Sequence, residues 1–581
     1  MSSFHRSALV CLIVAMGLAG TGCGGRSSTP LPPALAVSLL GALPSFVSTP
    51  PIESRESSPY TYTLAADDPA GHPVAFFLEE APAGAALNGN LLSWIPTVAQ
   101  ARSENRFTVI AASAAGRVRQ TWTVTPSGTV RGHCLDTYWT VKHPLTVPNN
   151  ACSARLLLPQ EDGSIRVQPV SSGLDGSFVV EDVPGGHFWL DAGSGQYLWT
   201  SSSEIDLGSD YTGRPDSGMV EAQLALSLNG LAPWQEDDQL NLLLPNSSSS
   251  YSIPLDTALK PGETVVRRIR TVSLPAVTPA SGDLAYVTQQ RQDTASVPGF
   301  KLTRIAGMYA VPGLTVQGDG AAASVIGALQ PLDATHALEL AFGFSAYQRL
   351  APVIHPSFVF NKVSAGVQIE PAVTDRLGAI GKIELLDLTT GNPPLVDRDF
   401  GAFPYGSQFP PTWPVLWRYE QSGNAWLRVP GSGAILAVPG SLGHRGAAMP
   451  SAGQPELPVL APVTDLRLNG GRLSETIRFT GPVTLSWTPS YGAASPSYSV
   501  AVESVAADGK GGFQASVVAS LTTTSPWVRV PGDVFGQGNM YFFVVTAMNN
   551  PLANSAGPYH LGIPYAWADA ISDIVSYAGE N

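Results

Sequence analysis

Charged side chains are scarce in this chain of 581 residues. Asp, Glu, Lys and Arg make up 13% of it, against about 25% in an ordinary soluble protein. Because helix surfaces are usually covered with Glu, Lys and Arg, this scarcity argues against a helical protein. Only 32 residues are Lys or Arg and the formal net charge is −13. No basic surface is available for a phosphate backbone, so we expect no nucleic-acid partner.

Long apolar runs are also missing. The longest covers residues 8–19, which is 12 residues, whereas a membrane-spanning helix needs about 20. The sequence therefore predicts no transmembrane helix.

Motifs for common catalytic chemistry are absent. The chain has no His-Glu-x-x-His pair, no Gly-x-Ser-x-Gly elbow, no phosphate loop and no dinucleotide fingerprint. Nine histidines are scattered, and His133, His143 and His187 share one segment without metal-ligand spacing. We predict a protein that is not an enzyme, and keep an active site within residues 216–455 as the least favoured alternative.

Glycine and proline are abundant, with 58 and 50 residues. Many short strands joined by tight turns produce such a composition. Hydrophobic residues make up 44% of the chain, enough for several cores. The prediction is an all-β protein made of several sandwich domains.

The first 36 residues indicate export and attachment. A short basic start and the apolar run precede Gly20-Thr21-Gly22-Cys23. This order resembles a bacterial lipoprotein signal, which implies removal of residues 1–22 and a lipid on Cys23. Residues 23–36 then form a tether rich in Pro and Ser. The expected location is the outer membrane or cell surface, with the lipid as the membrane contact. The alternative is an ordinary secretory signal that leaves Cys23 as a free thiol.

The chain has four cysteines. Cys11 leaves with the signal and Cys23 carries the lipid, so Cys134 and Cys152 remain as a pair in an oxidising compartment. A disulfide closing this loop would contribute roughly 3 kcal/mol through chain entropy. The alternative, a metal pair with His133, lacks further ligands.

Residues 37–126 alternate with the period of a strand. Tyr60–Leu64, Val74–Leu78 and Phe107–Ala111 are separated by Asp67-Asp68-Pro69-Ala70-Gly71 and by Trp94-Ile95-Pro96-Thr97. This order resembles the cadherin-like putative Ig domains of bacterial surface proteins. Asp67 and Asp68 stand where cadherins place calcium ligands, and Glu53, Glu56, Glu79 and Glu80 flank them. The turn motif also explains Asp-Pro-x-Gly without calcium, so no cofactor is assigned.

Residues 127–215 resemble a carboxypeptidase regulatory-like domain, which has a transthyretin-like sandwich. Gly128–Gly132 fits the first strand, and Asp175-Gly176 and Pro184-Gly185-Gly186 fit turns that place Phe178 and Val180 on one face. The cysteine loop is an insertion after that first strand. The resemblance implies a recognition module without catalysis.

Residues 456–581 resemble a fibronectin type III domain. Val483, Leu485 and Trp487 alternate onto one face, and Gly538–Ala547 carries the Tyr-x-Phe-x-Val-x-Ala pattern. The tail from Ala566 to Tyr577 fits a helical face or a strand, and the need for a last strand favours strand. Residues 216–455 resemble no family and read as one or two β-sandwiches, divided near residue 350 in the second case.

Two residue groups are weaker binding candidates. Tyr211 and three acids resemble an oxygen cage, the acids being Asp206, Asp210 and Asp216. A set of aromatic side chains is a candidate sugar-stacking surface, and otherwise fills the core. This set consists of Trp189, Tyr197, Trp199, Trp413, Trp417 and Tyr419.

The leading functional prediction is a non-catalytic, lipid-anchored surface protein. It would act as a scaffold, an adhesin or a partner-binding arm, because its anchor, tether and three resembled modules all belong to interaction proteins. The alternative is a carbohydrate-binding surface lipoprotein. The protein or glycan partner is not named by the sequence.

Overall fold

The computed structural model describes most of the chain beyond the tether. The described residues are 42–149, 154–160, 164–215, 218–247, 249–255, 259–294, 299–369, 383–391, 396–473, 478–490, 492, 496–536, 539–549 and 565–578.

The described residues form strands almost throughout, which confirms the all-β prediction. We group the strands into five sandwich units by their sheets and cores. Unit 1 contains β1 (Ser45–Phe46), β2 (Tyr60–Thr63), β3 (Ala66–Asp67), β4 (Ala75–Glu80), β5 (Ala86–Asn88), β6 (Leu91–Trp94), β7 (Asn105–Ser113) and β8 (Gly116–Val124). Unit 2 contains β9 (Gly128–His133), β10 (Leu135–Trp139), β11 (Pro144–Pro148), β12 (Ala154–Pro159), β13 (Ile165–Val170), β14 (Ser177–Val183), β15 (Phe188–Gly193), β16 (Gln196–Thr200), β17 (Glu204–Asp206) and β18 (Asp210–Thr212).

The segment between residues 216 and 455 builds two units. Unit 3 contains β19 (Met219–Asn229), β20 (Gln239–Leu244), β21 (Ser249–Ser252), β22 (Val266–Pro275), β23 (Tyr286–Thr294), β24 (Lys301–Ala310), β25 (Ala322–Ala328) and β26 (Gln330–Pro331). Unit 4 contains β27 (His336–Phe342), α1 (Phe344–Gln348), α2 (Ala351–Ile354), β28 (Val359–Ile369), β29 (Ile383–Thr390), β30 (Arg398–Tyr405), β31 (Val415–Arg428), β32 (Ile435–Gly446) and β33 (Pro455–Glu456). Strand β24 pairs with both β23 and β29, so units 3 and 4 share a strand.

Unit 5 ends the described chain. It contains β34 (Thr464–Leu468), β35 (Gly471–Arg472), β36 (Arg478–Phe479), β37 (Val483–Thr488), β38 (Ser497–Ala507), β39 (Phe513–Thr523), β40 (Trp527–Val530), β41 (Met540–Asn549), β42 (Ala566–Ile571) and β43 (Val575–Tyr577). The tail therefore forms strands, as the sandwich requires. Val483, Leu485 and Trp487 are all buried, which confirms the predicted inward face of β37.

The cores show which units are joined. Units 1, 2 and 3 each contain a core cluster of their own, whereas units 4 and 5 share one. That shared cluster also takes in Leu157, Trp189 and Trp199 from unit 2. Burying apolar area contributes about 25 cal/mol per Å², so a core shared across units fixes their relative positions.

Strand pairing closes the chain on itself. In unit 2, β16 runs parallel to β39 of unit 5, with Gln196 opposite Ser520, Tyr197 opposite Leu521, and Leu198 opposite Thr522. The backbone N–H of Ser520 also donates to the carbonyl of Gly195 at 2.8 Å. One sheet of 19 strands consequently runs from β12 to β43. Units 2 to 5 form a closed body in place of a string of separate modules.

No helix in the described part of the chain is long and apolar enough to cross a membrane.

Candidate functional site

A cleft of about 620 Å³ lies between unit 2 and unit 5. Its floor is one face of the β12–β13 pair, because Leu157 stands opposite Val167 and Pro159 opposite Ile165. Alternate residues of a strand point to the same face, so these four side chains form a continuous apolar surface. Unit 5 covers Leu157 but leaves Ile165 40% and Val167 51% exposed.

Two arginines line the cleft. Arg155 pairs with Asp191, and this pairing raises the pKa of Arg155. The guanidinium carbon of Arg529 lies 5.9 Å from the centre of the Trp189 ring. Within the described residues, the guanidinium of Arg529 has neither a carboxylate partner nor a hydrogen-bond acceptor. The cleft therefore contains one neutralised cation and one available cation.

Aromatic side chains join the two units beside the cleft. Trp189 is 1% exposed, and its indole N–H donates to the backbone carbonyl of Arg529. His187 stacks on Trp199 with ring centres 5.3 Å apart and contacts Trp527 at 4.7 Å. Its Nε2 also lies 3.0 Å from the Ser525 hydroxyl. These contacts join units 2 and 5 beside the cleft.

The junction is expected to weaken in acid. Burial, together with the charge of Arg102, lowers the pKa of His187. The unfolded chain takes up a proton near pH 6.5, whereas the folded chain does so only at lower pH. The contribution of His187 is present above about pH 6.5 and is lost as the pH falls from there through the folded-state pKa. A smaller drop in melting temperature between pH 7.5 and pH 5.5 for His187→Gln than for the wild type would show this. Equal drops would contradict it.

The cysteine predictions fall only partly on described residues. Cys23 and Cys152 lie outside them. Cys134 is buried, and the β10–β11 hairpin brings the backbone N–H of Asn149 within 2.9 Å of its carbonyl oxygen. Asn149, the last described residue of this segment, therefore lies beside Cys134. The pairing and the lipid attachment stay predictions.

The candidate calcium ligands have other partners. Asp67 is exposed in β3, while Asp68 accepts from the backbone N–H of Ala70 at 2.8 Å. A hydrogen bond from Ser113 is the main cause that lowers the pKa of Asp68. The flanking glutamates are occupied as well, Glu79 by Arg119, Glu80 by Arg106, and Glu56 by the backbone of Thr129. Glu53 is exposed. Asp67 and Asp68 are only weak calcium candidates, and these contacts do not favour them.

The two described acids of the oxygen-cage candidate, Asp206 and Asp210, each have other partners. Asp206 accepts from the backbone N–H of Gly208 and lies 3.4 Å from His133. Asp210 accepts from the indole of Trp139, and Asp216 lies outside the described residues. Tyr211 stacks on Tyr138, while His143 is exposed. Among the described residues, no group of three His, Cys, Asp or Glu side chains is placed to hold a metal ion.

The aromatic residues suggested for sugar stacking are mostly in the core. Trp189, Trp199, Trp413, Trp417 and Tyr419 are all less than 9% exposed, and Tyr197 is half-buried. Rings at this depth cannot offer a face to a sugar. All 12 tryptophans are described, and the exposed one is Trp426, at 49%. It lies on β31 and was not among the sequence candidates.

One arrangement resembles a catalytic serine and histidine. Nδ1 of His355 lies 2.7 Å from the Ser357 hydroxyl, and Nε2 lies 3.2 Å from Asp573. The Ser357 hydroxyl, however, donates to the carbonyl of Trp426 at 3.0 Å and accepts from its N–H at 2.9 Å. Both hydrogen bonds extend the β28–β31 pairing. Ser357 therefore has a structural role: its hydroxyl holds β31 through the backbone of Trp426, and its lone pairs and proton are engaged.

Comparisons with known proteins give only distant similarity. No family model matches the chain. No curated protein matches it either. The solved structures that resemble it include Sidekick-1 immunoglobulin domains 1–5, at 10% identity over 93% of this chain and 100% of that chain, with a TM-score of 0.16. A Dscam structure is 9% identical over 92% of this chain and 99% of that chain, with a TM-score of 0.13. The insect immune protein hemolin is 9% identical over 93% and 100%, with a TM-score of 0.14. We draw no functional conclusion from similarity at these scores.

Proposed function

We propose that this protein is a non-catalytic surface scaffold with an adhesive role, held at the outer membrane or cell surface by a lipid on Cys23. One observation carries the proposal. The β16–β39 pairing closes units 2 to 5 into a single body around a shared core. A closed body keeps its binding surfaces in fixed positions, which suits a protein that holds a partner under force or bridges two surfaces.

The polar junction between units 2 and 3 supports the same role. Arg214 pairs with Asp283, and the side chain of Asn246 links the backbone of Val141 to that of Gly282. Asn246 is 2% exposed, and buried hydrogen bonds of this kind specify one geometry because breaking them leaves polar groups without water. The junction therefore resists bending.

The anchor and the adhesion are tested together in cells. Cys23→Ala is expected to move the protein from the membrane fraction to the soluble fraction and to abolish cell adhesion. Cys11→Ala, inside the predicted signal, is the matched control and should change neither. Fractionation followed by immunoblotting measures the first effect, and attachment to a coated surface measures the second.

Two outcomes would contradict the proposal. Membrane retention of the Cys23→Ala protein would remove the lipid anchor. Unchanged adhesion of cells that lack the whole protein would remove the adhesive role.

A further inference from the structure

We propose that the cleft between units 2 and 5 binds an extended, acidic peptide segment of a partner protein. This inference rests on the proposed function, because it names the class of partner for a scaffold. It combines a cation without a partner, an apolar floor with the repeat of a strand, and a volume suited to a ligand.

The cation is Arg529. It is half-buried beside Trp189, and its guanidinium has no acceptor among the described residues. A planar guanidinium held over an aromatic ring is preorganised for a carboxylate, which it can bind through two parallel hydrogen bonds. Burial from one side reduces the solvent competition that makes exposed ion pairs weak. The arrangement therefore favours an anionic group at this point of the cleft.

A second acid fixes where that anionic group can lie. The hydrogen bond and the charge of Asp191 are the main causes that raise the pKa of Arg155, and Asp533, which lines the same cleft, adds to them. Arg155 already has Asp191 as its partner. A ligand carboxylate is therefore attracted at Arg529 and repelled near Asp533, which gives a bound segment a preferred direction.

The spacing of the exposed side chains on the floor favours a peptide as the ligand. Its accessible side chains are Ile165 and Val167, which are two residues apart on β13. Such residues repeat about every 6.6 Å along a strand, the same repeat as the alternate side chains of an extended peptide. A sugar would require an aromatic face, but Trp189 is 1% and Tyr577 7% exposed.

The volume of the cleft is typical of a ligand-binding site. At about 620 Å³ the cleft lies within the range of roughly 300–1,000 Å³ that is typical of binding pockets, which often occur between domains.

Fluorescence anisotropy with the mature chain tests the proposal. The probe is a fluorescein-labelled eight-residue peptide of alternating Val and Glu, compared with the same peptide carrying Gln in place of Glu. We expect the Glu peptide to bind about tenfold more tightly at low salt, the effect of one charge-assisted contact. Arg529→Gln should remove that tenfold difference. Arg267→Gln is the matched control, because Arg267 is an exposed arginine on unit 3 without an ion pair in the described residues, and it should preserve the difference.

A second variant keeps the test independent of folding at Arg529. Val167→Glu changes an exposed side chain on the floor and should weaken binding of the Glu peptide about tenfold with the melting temperature unchanged. Equal binding of the two peptides, or no binding, would overturn the proposal. Binding of a tetragalacturonate that competes with the peptide and is lost in Arg529→Gln would also overturn it in favour of an acidic glycan.

The two proposals fail separately. If the Glu peptide does not bind but cells lacking the protein lose adhesion, the cleft assignment is wrong and the scaffold role stands. If the peptide binds and adhesion is unaffected by deletion of the protein, the adhesive role is wrong and the cleft is a binding site of another kind.

Discussion

Replacing Trp189 with alanine is expected to lower the free energy of unfolding of the closed body by about 3–5 kcal/mol, the cost of truncating a buried tryptophan. Trp189 is 1% exposed, packs 4.8 Å from Trp199, and bonds through its indole N–H to the carbonyl of Arg529. The substitution leaves a cavity at the contact between units 2 and 5 and removes the indole donor from the carbonyl of Arg529. Urea denaturation followed by circular dichroism measures the loss.

Trp426→Ala is the matched control for this variant. The same side chain is removed, but Trp426 is 49% exposed on the outer face of β31. Surface substitutions usually change stability by less than about 1 kcal/mol. Equal losses for the two variants would mean that Trp189 does not lie in a buried junction.

Replacing Arg102 with alanine is expected to destabilise the junction between units 1 and 2 by about 2–4 kcal/mol, because four charge-assisted hydrogen bonds of a half-buried guanidinium are lost together. Burial lowers the pKa of Arg102 to about 10, so its guanidinium stays charged at neutral pH. Its ring partner is Phe188, at 4.9 Å. The acceptors of its hydrogen bonds are the carbonyls of Pro184, Gly186 and Ser202 and the hydroxyl of Ser203.

Hydrogen exchange at the junction measures this opening. The amides of Glu56 and Ser127 bond across it, to the carbonyls of Ser127 and Ser54, and should lose protection in Arg102→Ala. Arg106→Ala is the control, because within the described residues the ion pair of Arg106 is an exposed one with Glu80, worth at most about 1 kcal/mol. Unchanged protection in Arg102→Ala would show that other contacts hold unit 1.

Local patterns in the sequence predicted the strands well. Alternation placed Val483, Leu485 and Trp487 on one buried face, and the Asp-Gly and Pro-Gly-Gly turns placed Phe178 and Val180 in the core of unit 2. The period of two is a property of each strand alone, so it can be read without knowledge of the neighbours.

The closure of the chain could not be read in the same way. Residues 196–198 and 520–522 pair although more than 300 positions separate them. An edge strand carries no signal in its own sequence for the strand that will pair with it, because the backbone hydrogen bonds are the same for any partner. The cleft depends on this pairing, so it could not be predicted from the sequence either.

Trp426, the exposed tryptophan, was missed because the end of its strand was not predicted. Trp417 and Trp426 lie on the same strand, nine residues apart. With a period of two, an odd separation places them on opposite faces, and Trp417 is buried while Trp426 is exposed. The sequence candidates included Trp417 but not Trp426, because the full extent of this strand was not predicted.

A disulfide across the β16–β39 pair tests the closed body most directly. Gln196→Cys combined with Ser520→Cys introduces thiols at directly opposed positions, where adjacent strands lie about 4.8 Å apart and a disulfide can form without backbone movement. We predict rapid cross-linking under mild oxidation, seen as a faster-migrating band on a non-reducing gel, with no loss of melting temperature. Gln196→Cys combined with Ser324→Cys, on unit 3, should give no such band. Equal cross-linking of both pairs, or none in either, would contradict the closure of units 2 to 5.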